Sequence, residues 1–274
     1  KMPANWQTES GADHGQLMAS AFVRQIRQID QDIPIRILGA NVFQENQSTS
    51  SALYTYGSRT GSKRTLSVNW EGAKEALSWF KQNGVSVVLT AFNGSDSNAL
   101  RSFMKEAGDL GMTVFASAGN KVGGAIYPAA YPEAISVAGD NKDLAFRKDP
   151  SISTWANFAM DGGTSLRLKG GKNDEGSSFA TAKAAAFGAY FKAIVPDAER
   201  DDIKAAIAKV SIPTSYKING SDISASRIDE TLSAEKFVSV AAEAAKGAKK
   251  DEIVIARPAP SSAMMAAALS GNSR

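Results

Sequence analysis

Three polar side chains stand at places in the sequence where they could act together in nucleophilic chemistry. His14 opens the first predicted helix, Asn120 directly follows an apolar run, and Ser178 opens a long alanine-rich segment. A serine hydroxyl gives up its proton near neutral pH only with a base beside it, and an imidazole can serve as that base. The side-chain amide of Asn120 could donate a hydrogen bond to a developing oxyanion. Taken one at a time, these residues are typical of helix caps and turns.

The composition excludes several other kinds of chemistry. The chain of 274 residues has no cysteine and one histidine. A thiol nucleophile, a disulfide framework and thiolate metal sites are therefore excluded, and so is every metal site that needs two histidines. If an imidazole works near pH 7 in this protein, it is that of His14.

Charge and hydropathy narrow the classes of partner. The net charge of +3 is matched by the segment 246–274 alone, which holds five basic and two acidic side chains. A nucleic-acid-binding face is therefore disfavoured. No apolar run approaches the roughly 20 residues of a membrane span. Nucleotide binding is disfavoured as well, because the sequence has neither a Gly-x-Gly-x-x-Gly nor a Walker-type loop.

The elements that must position these side chains follow from hydrophobic periodicity. Helices alternate with short apolar runs rich in β-branched residues, which is typical of parallel strands buried on both faces. Such alternation predicts an α/β fold with a mainly parallel sheet and helices on both faces. The predicted helices are 14–29, 69–82, 96–109, 177–195 and 198–209; the predicted strands are 35–38, 85–91, 113–116 and 134–138; residues 44–65 are predicted to form a surface excursion.

This order places the polar residues at one end of the sheet. Asn120 follows a strand directly, and ligands of open α/β sheets bind at the carboxyl ends of the strands. Ser178 falls in the first turn of its helix, where unpaired N–H groups and the helix dipole favour an anionic intermediate.

In four segments the sequence resembles the subtilisin-like serine proteases. Residues 14–20 are similar to the family's His-Gly-Thr-His-Val-Ala-Gly pattern, and residues 117–120 match its Ser-Ala-Gly-Asn form. Residues 176–182 are similar to Gly-Thr-Ser-Met-Ala-Thr-Pro, and residues 127–137 to Tyr-Pro-Ala-x-Tyr-Pro-x-Val-Ile-x-Val. The resemblance covers about residues 12–245, with the segments in the family's order.

The resemblance implies a serine endopeptidase that hydrolyses polypeptides through an acyl-enzyme on Ser178. His14 would be the general base, and Asn120 would donate to the oxyanion together with the Ser178 N–H. Extended substrate would lie between two backbone segments, so the binding residues would be Ala91, Phe92, Asn93, Ser117, Ala118 and Gly119. For Phe92 the alternative interpretation is a core aromatic. No cofactor is implied; the family allows calcium, for which the sequence identifies no ligands.

The family's architecture is a three-layer sandwich, and the resemblance implies a peptidase domain over 1–245 followed by a basic Ala/Ser/Pro-rich tail over 246–274. The family is mostly exported as a zymogen, which favours a secreted or periplasmic protein. Its own N-terminal segment or propeptide would then be a partner besides the substrate. The first residues lack the apolar segment of a signal peptide.

The family's catalytic aspartate has no clear counterpart here. In the family it ends a strand well upstream of the histidine, whereas only 13 residues precede His14. Asp13 is a poor substitute because adjacent side chains do not face each other, and nothing supports Glu9. Two explanations stay open, a missing upstream segment and a degenerate relative that binds an extended peptide or a partner protein. Milder departures from the family pattern are Ser177, Phe179, Ala182 and Lys183.

Overall fold

A computed structural model describes residues 10–45, 54–57, 63–120, 125–140, 155–167, 173–218 and 220–247. The helices of these ranges are α1 (Ser10–Ile29), α2 (Trp70–Gln82), α3 (Asn98–Asp109), α4 (Ser177–Ile194), α5 (Arg200–Val210) and α6 (Leu232–Gly247). The strands are β1 (Phe43–Glu45), β2 (Tyr54–Gly57), β3 (Lys63–Val68), β4 (Val87–Thr90), β5 (Thr113–Ser117), β6 (Ala134–Gly139), β7 (Phe158–Met160), β8 (Gly163–Arg167), β9 (Asn173–Glu175), β10 (Ile212–Ile218) and β11 (Ser221–Ile228).

Six strands form the main sheet, in the order β10-β11-β7-β6-β5-β4. Every neighbouring pair from β4 to β11 is parallel, and only the β10–β11 hairpin at one end is antiparallel. Helix α3 connects β4 to β5, and α4 and α5 lie between β7 and the β10–β11 hairpin, since parallel strands cannot be joined by a two-residue turn. The predicted α/β class with a mainly parallel sheet is confirmed.

Helices cover both faces of this sheet because successive side chains of a strand point to opposite sides. Along β5, Phe115 packs into an apolar cluster that includes residues of α4, α5 and α6. Its neighbours Val114 and Ala116 pack into a second cluster with α2 and α3. All five residues of β5 are buried, which explains why its sequence is apolar without alternation.

The alanine-rich helix α4 runs through the middle of the molecule and contacts four strands of the main sheet, β4 to β7. Small side chains let it approach the sheet closely. A Cβ atom added at Gly188 would lie 2.5 Å from Cε2 of Phe115, so glycine is required at this crossing. The expectation of a helix buried along its length is confirmed, although it ends at Ile194.

The prediction of a strand over 35–38 is wrong. Residues 33–42 lie in neither a helix nor a strand, and Ile37 is 45% exposed. Ile35 packs against the same apolar cluster as Leu89 of β4. In the described ranges β4 pairs only with β5, and no strand lies on its outer edge. An apolar run becomes a strand only with a neighbour to pair with, which explains the difference.

The predicted surface excursion over 44–65 is also wrong in part. Strands β1, β2 and β3 fall within or beside it and form an antiparallel sheet in the order β1-β3-β2. The sequence reading also missed the hairpins β8–β9 and β10–β11, strand β7 and helix α6. The tail beyond residue 247 lies outside the described residues, so the division at residue 245 stays a prediction. None of the helices in the described ranges combines the length and the apolar composition that a membrane span requires.

Candidate active site

Ser178 is the second residue of α4 and is 4% exposed. Gly176 caps the helix, and its carbonyl accepts from the N–H of Phe179 at 3.0 Å. Among the described residues, no acceptor is recorded for the N–H of Ser178. An uncommitted N–H in the first turn of a helix is suited to an anionic group.

The hydroxyl of Ser178 donates to the carbonyl oxygen of Ala91 at 3.2 Å. Ala91 comes directly after β4, at the carboxyl end of that strand. The start of α4 is therefore tied to the first residue of the predicted substrate wall. For the hydroxyl to give its proton to an imidazole, its hydrogen has to turn away from this carbonyl.

His14 lies on α1, which packs against α4. Its ring is half-buried and meets the ring of Phe179 edge-on, with 6.5 Å between the centroids. Met18 and Ala21, on the same helix, pack with Phe179 in a small apolar cluster. The periodic apolar face predicted for α1 thus brings the imidazole beside the residue that follows Ser178.

Asn120 reaches the same corner from the loop after β5. Its Oδ1 accepts from the backbone N–H of Ser177 at 2.7 Å and from the Ser177 hydroxyl at 2.8 Å. Because Oδ1 holds both bonds, Nδ2 is the end of the amide left to donate to another molecule. A Cβ atom at Gly176 would lie 3.1 Å from Nδ2, so a larger residue there would press on the amide.

The hydroxyl of Ser117 sets the direction in which the Ser177 hydroxyl donates. Ser117 Oγ lies 2.6 Å from Ser177 Oγ, and both serines are buried. Each hydroxyl has one proton, and that of Ser177 goes to Asn120, so Ser117 is the donor in the serine pair. This chain of hydrogen bonds orients the amide from beneath.

The two predicted substrate walls approach each other next to Ser178. Nδ2 of Asn93 lies 3.6 Å from the place of a Cβ atom on Gly119. Gly119 has a φ of +89°, and that Cβ would lie 2.3 Å from Ile126, so only glycine fits. Gly94, just beyond the first wall, exchanges backbone hydrogen bonds of 2.8 and 3.0 Å with Tyr127.

These contacts bring the predicted site residues around the start of α4, with two qualifications. Ala118 is buried and donates its N–H to Val137 at 2.9 Å. Phe92 is half-buried and packs against the apolar cluster shared with α2 and α3, which agrees with its alternative interpretation as a core aromatic.

A charged cluster supports the loop that follows the first wall. Tyr131 donates its hydroxyl to Asp96 at 2.5 Å, and Arg101 pairs with the same carboxylate. Burial and, secondly, this hydrogen bond raise the pKa of Tyr131 to about 12. The hydrogen bond from Arg101 is the main reason that the pKa of Asp96 lies below its usual value.

Glu9 and Asp13 are the acidic residues nearest to His14 in the sequence. Asp13 belongs to α1, but its side chain and the whole of Glu9 lie outside the described residues. The described ranges also contain no group of three or more histidine, aspartate or glutamate side chains that could hold a metal ion.

Two features of the site were missed by sequence reasoning. One is the hydrogen-bond chain through the hydroxyl groups of Ser117 and Ser177. The sequence predicted only a backbone role for Ser117 and indicated Ser177 as a mild departure from the family pattern. The other is Lys183, which is 9% exposed within the alanine-rich helix. A lone charged residue among alanines was the available signal, because a buried ammonium group needs partners.

The chain was compared with known proteins. The profile of the Subtilase family matches residues 3–224. The prenylagaramide maturation protease PagA is 15% identical with a TM-score of 0.47, over 63% of this chain and 69% of that one. Among proteases from Pseudoalteromonas arctica, one structure is 16% identical with a TM-score of 0.48, over 62% of this chain and 59% of that one.

No match was found among the curated proteins. The match to the family profile extends over most of the chain, from before α1 to within β11. The chain therefore belongs to the subtilase family.

Proposed function

We propose that this subtilase is a serine endopeptidase that cleaves polypeptides through an acyl-enzyme on Ser178. The observation that carries the proposal is that two hydrogen-bond donors lie together at the start of α4. The uncommitted N–H of Ser178 and the oriented amide of Asn120 both stand at the first turn of α4. Such a pair can stabilise the oxyanion of a tetrahedral intermediate.

In the proposed reaction, Ser178 Oγ turns from the Ala91 carbonyl and attacks the scissile carbonyl carbon while His14 takes its proton. The oxyanion accepts from Ser178 N–H and Asn120 Nδ2. The intermediate then expels the amine, which receives the proton from His14, and an ester remains on Ser178. Water, deprotonated by His14, hydrolyses this ester and restores the serine.

The substrate in this proposal is an extended chain that adds as a strand beside residues 91–93 and passes along residues 117–119, where the N–H of Ala118 is already bound to Val137. Gly94 takes no part, because Tyr127 already occupies its backbone groups. Substrate contacts along the first wall would therefore end at Asn93.

The acid that orients His14 is proposed to approach it from the outer edge of β4. In the described ranges this edge has no partner strand. A strand added there in the parallel direction would end on the same side as Ala91 and Asn120. In subtilisin, another family member, losing the acid lowers kcat roughly 3 × 10⁴-fold and losing the serine roughly 2 × 10⁶-fold.

Subtilases are commonly secreted, and export with an inhibitory propeptide is part of the same proposal.

The test uses the full-length protein and a fluorophosphonate probe. Covalent labelling is expected in the wild type, none in Ser178→Ala, and wild-type labelling in the matched control Ser102→Ala, an exposed serine of α3. Cleavage of an unstructured protein, followed by mass spectrometry, is expected to show the same pattern. Labelling that persists in Ser178→Ala would contradict the proposal.

A second candidate is a scaffold that binds an extended peptide without cleaving it. It is favoured by the Ser178 hydroxyl, which donates to a backbone carbonyl. This candidate predicts peptide binding that Ser178→Ala leaves unchanged, with neither probe labelling nor peptide products.

A further inference from the structure

The ammonium group of Lys183 is completely engaged inside the molecule. Its Nζ donates to the backbone carbonyls of Asp161 at 3.0 Å and Gly163 at 2.8 Å, and to the carboxylate of Glu230. These three bonds use all three N–H donors of an ammonium group. Lys183 therefore cross-links three parts of the fold, and its three N–H donors are all used within the molecule.

The turn that Lys183 holds leads directly to the start of α4. Between the two carbonyls bound by Nζ lies Gly162, whose own carbonyl accepts from the N–H of Gly176 at 2.9 Å. Gly176 caps α4 immediately before Ser177 and Ser178.

Gly176 in turn lies beside the side-chain amide of Asn120, the proposed oxyanion donor. A Cβ atom there would lie 3.1 Å from Asn120 Nδ2. A movement of the 161–163 turn would therefore be passed to the serine, its N–H and this amide together.

Glu230 connects the same lysine to the helix that carries His14. The backbone carbonyl of Glu230 accepts from the side chain of Gln25 on α1 at 3.2 Å, and Gln25 is 2% exposed. Lys183 thus joins α4, the 161–163 turn and the loop that anchors α1.

We propose that Lys183 is a positioning residue that holds the 161–163 turn against Gly176 and so fixes the first turn of α4 for reaction at Ser178. This proposal rests on the proposed function of Ser178. The described hydrogen bonds of Lys183 go to Asp161, Gly163 and Glu230 and not to residues 91–93 or 117–119, so its effect is expected on the rate of acylation and not on binding.

The experiment compares Lys183→Met with Lys192→Met, a lysine on the same helix whose Nζ binds only the nearby carbonyl of Pro196. Full-length proteins are treated with a fluorophosphonate. For Lys183→Met the maximal inactivation rate is expected to fall about 10- to 100-fold, as for small misplacements of reacting groups, with unchanged half-saturation. Lys192→Met is expected to match the wild type.

Amide hydrogen exchange gives a readout that does not depend on catalysis. In Lys183→Met, exchange at Gly176 is expected to rise by about tenfold while Phe115 in β5 stays protected. A merely structural role would speed both amides together. Equal changes at both amides, or wild-type exchange and inactivation rates, would overturn the proposal.

If Lys183→Met does not fold, Glu230→Gln decides the question. It removes the charge of the carboxylate that binds Lys183 directly and leaves the more distant Asp161 carboxylate, 3.7 Å from Nζ, so faster exchange at Gly176 than at Phe115 is expected, and unchanged exchange overturns the proposal. If the wild type is not labelled at all, the proposed function fails, whereas exchange at Gly176 still tests whether Lys183 orders this turn.

Discussion

Single side chains fix the geometry of the site through buried hydroxyl groups. Asn120 is exposed, yet its amide has one orientation because Ser177 gives it two hydrogen bonds. Ser117 sets the direction of the Ser177 hydroxyl from below. A satisfied network of this kind pre-organises a donor before the substrate arrives, which is the condition for electrostatic stabilisation.

The amide of Asn120 is predicted to contribute through the transition state. In Asn120→Ala we expect kcat for peptide cleavage to fall about 10²- to 10³-fold with little change in KM, the range known for an oxyanion donor in subtilisin. Steady-state kinetics of the full-length protein measure both. Asn98→Ala, on the exposed start of α3, is the control, and a loss confined to KM would contradict this role.

At the scale of elements, the position of α4 depends on the size of its residues, whereas its first turn depends on hydrogen bonds from neighbouring loops. α4 needs small residues along its buried length, because it crosses the sheet closely at Gly188. Its first turn depends on neighbouring loops, since Gly176 is bound by Gly162 and Ser177 by Asn120.

Gly188→Ala is predicted to destabilise the fold by about 1–3 kcal/mol, because the new methyl group would overlap the ring of Phe115. Gly108→Ala, in α3 with open space around the new Cβ, is expected to stabilise it by about 0.5–1 kcal/mol. Urea unfolding measures both variants. The same sign for the two would show that helix propensity, and not the close crossing, governs Gly188.

The Tyr131–Asp96 contact predicts a loss of stability in alkali. The pKa of Tyr131 is raised from about 10 to about 12, mainly by burial, so the folded state keeps a proton that the unfolded state loses. The stabilisation is complete below about pH 10 and is lost as the pH rises toward about 12. In urea unfolding, the advantage of the wild type over Tyr131→Phe is expected to shrink above about pH 10, toward about pH 12, and to stay constant from about pH 7 to pH 9. A constant advantage throughout would contradict this.

For the whole molecule, one buried charge ties the β10–β11 hairpin to the parallel sheet. β11 pairs with β7 at only two residue pairs. Asp140, which follows β6 and is 4% exposed, accepts from Arg227 on β11 and from Tyr216 on β10. The carboxylate therefore supplements a short strand contact.

Asp140→Ala is predicted to cost about 1–3 kcal/mol of unfolding free energy, because Arg227 loses its buried partner and keeps the contact with Asp229. The double variant Asp140→Ala with Arg227→Met is expected to recover part of the loss, since the Arg227 charge is then removed together with its buried partner, although Asp229 also loses its contact with Arg227. Urea unfolding of the single and double variants measures both effects. If the losses of Asp140→Ala and Arg227→Met add up to the loss of the double variant, the two side chains do not stabilise each other.

The sequence predicted the parallel core well, because buried strands such as 113–117 are apolar on both faces and helix periodicity is strong in 14–29 and 96–109. It failed for 35–38, whose apolar residues have no strand beside them. It also missed the hairpins, in which short polar strands such as β10 are fixed by their partners and not by their own composition.

The sequence by itself determined the residue types available for chemistry: one imidazole, no thiol, and a serine and an asparagine at the starts and ends of elements. Local patterns are sufficient for that, because they depend on neighbours along the chain. Only the tertiary structure decided which end of the Asn120 amide is left to donate, which carbonyl holds the Ser178 hydroxyl, and that Lys183 ties the 161–163 turn to α4. These contacts join residues that are 20 to 87 positions apart, and hydrogen-bond direction across such distances is set by packing alone.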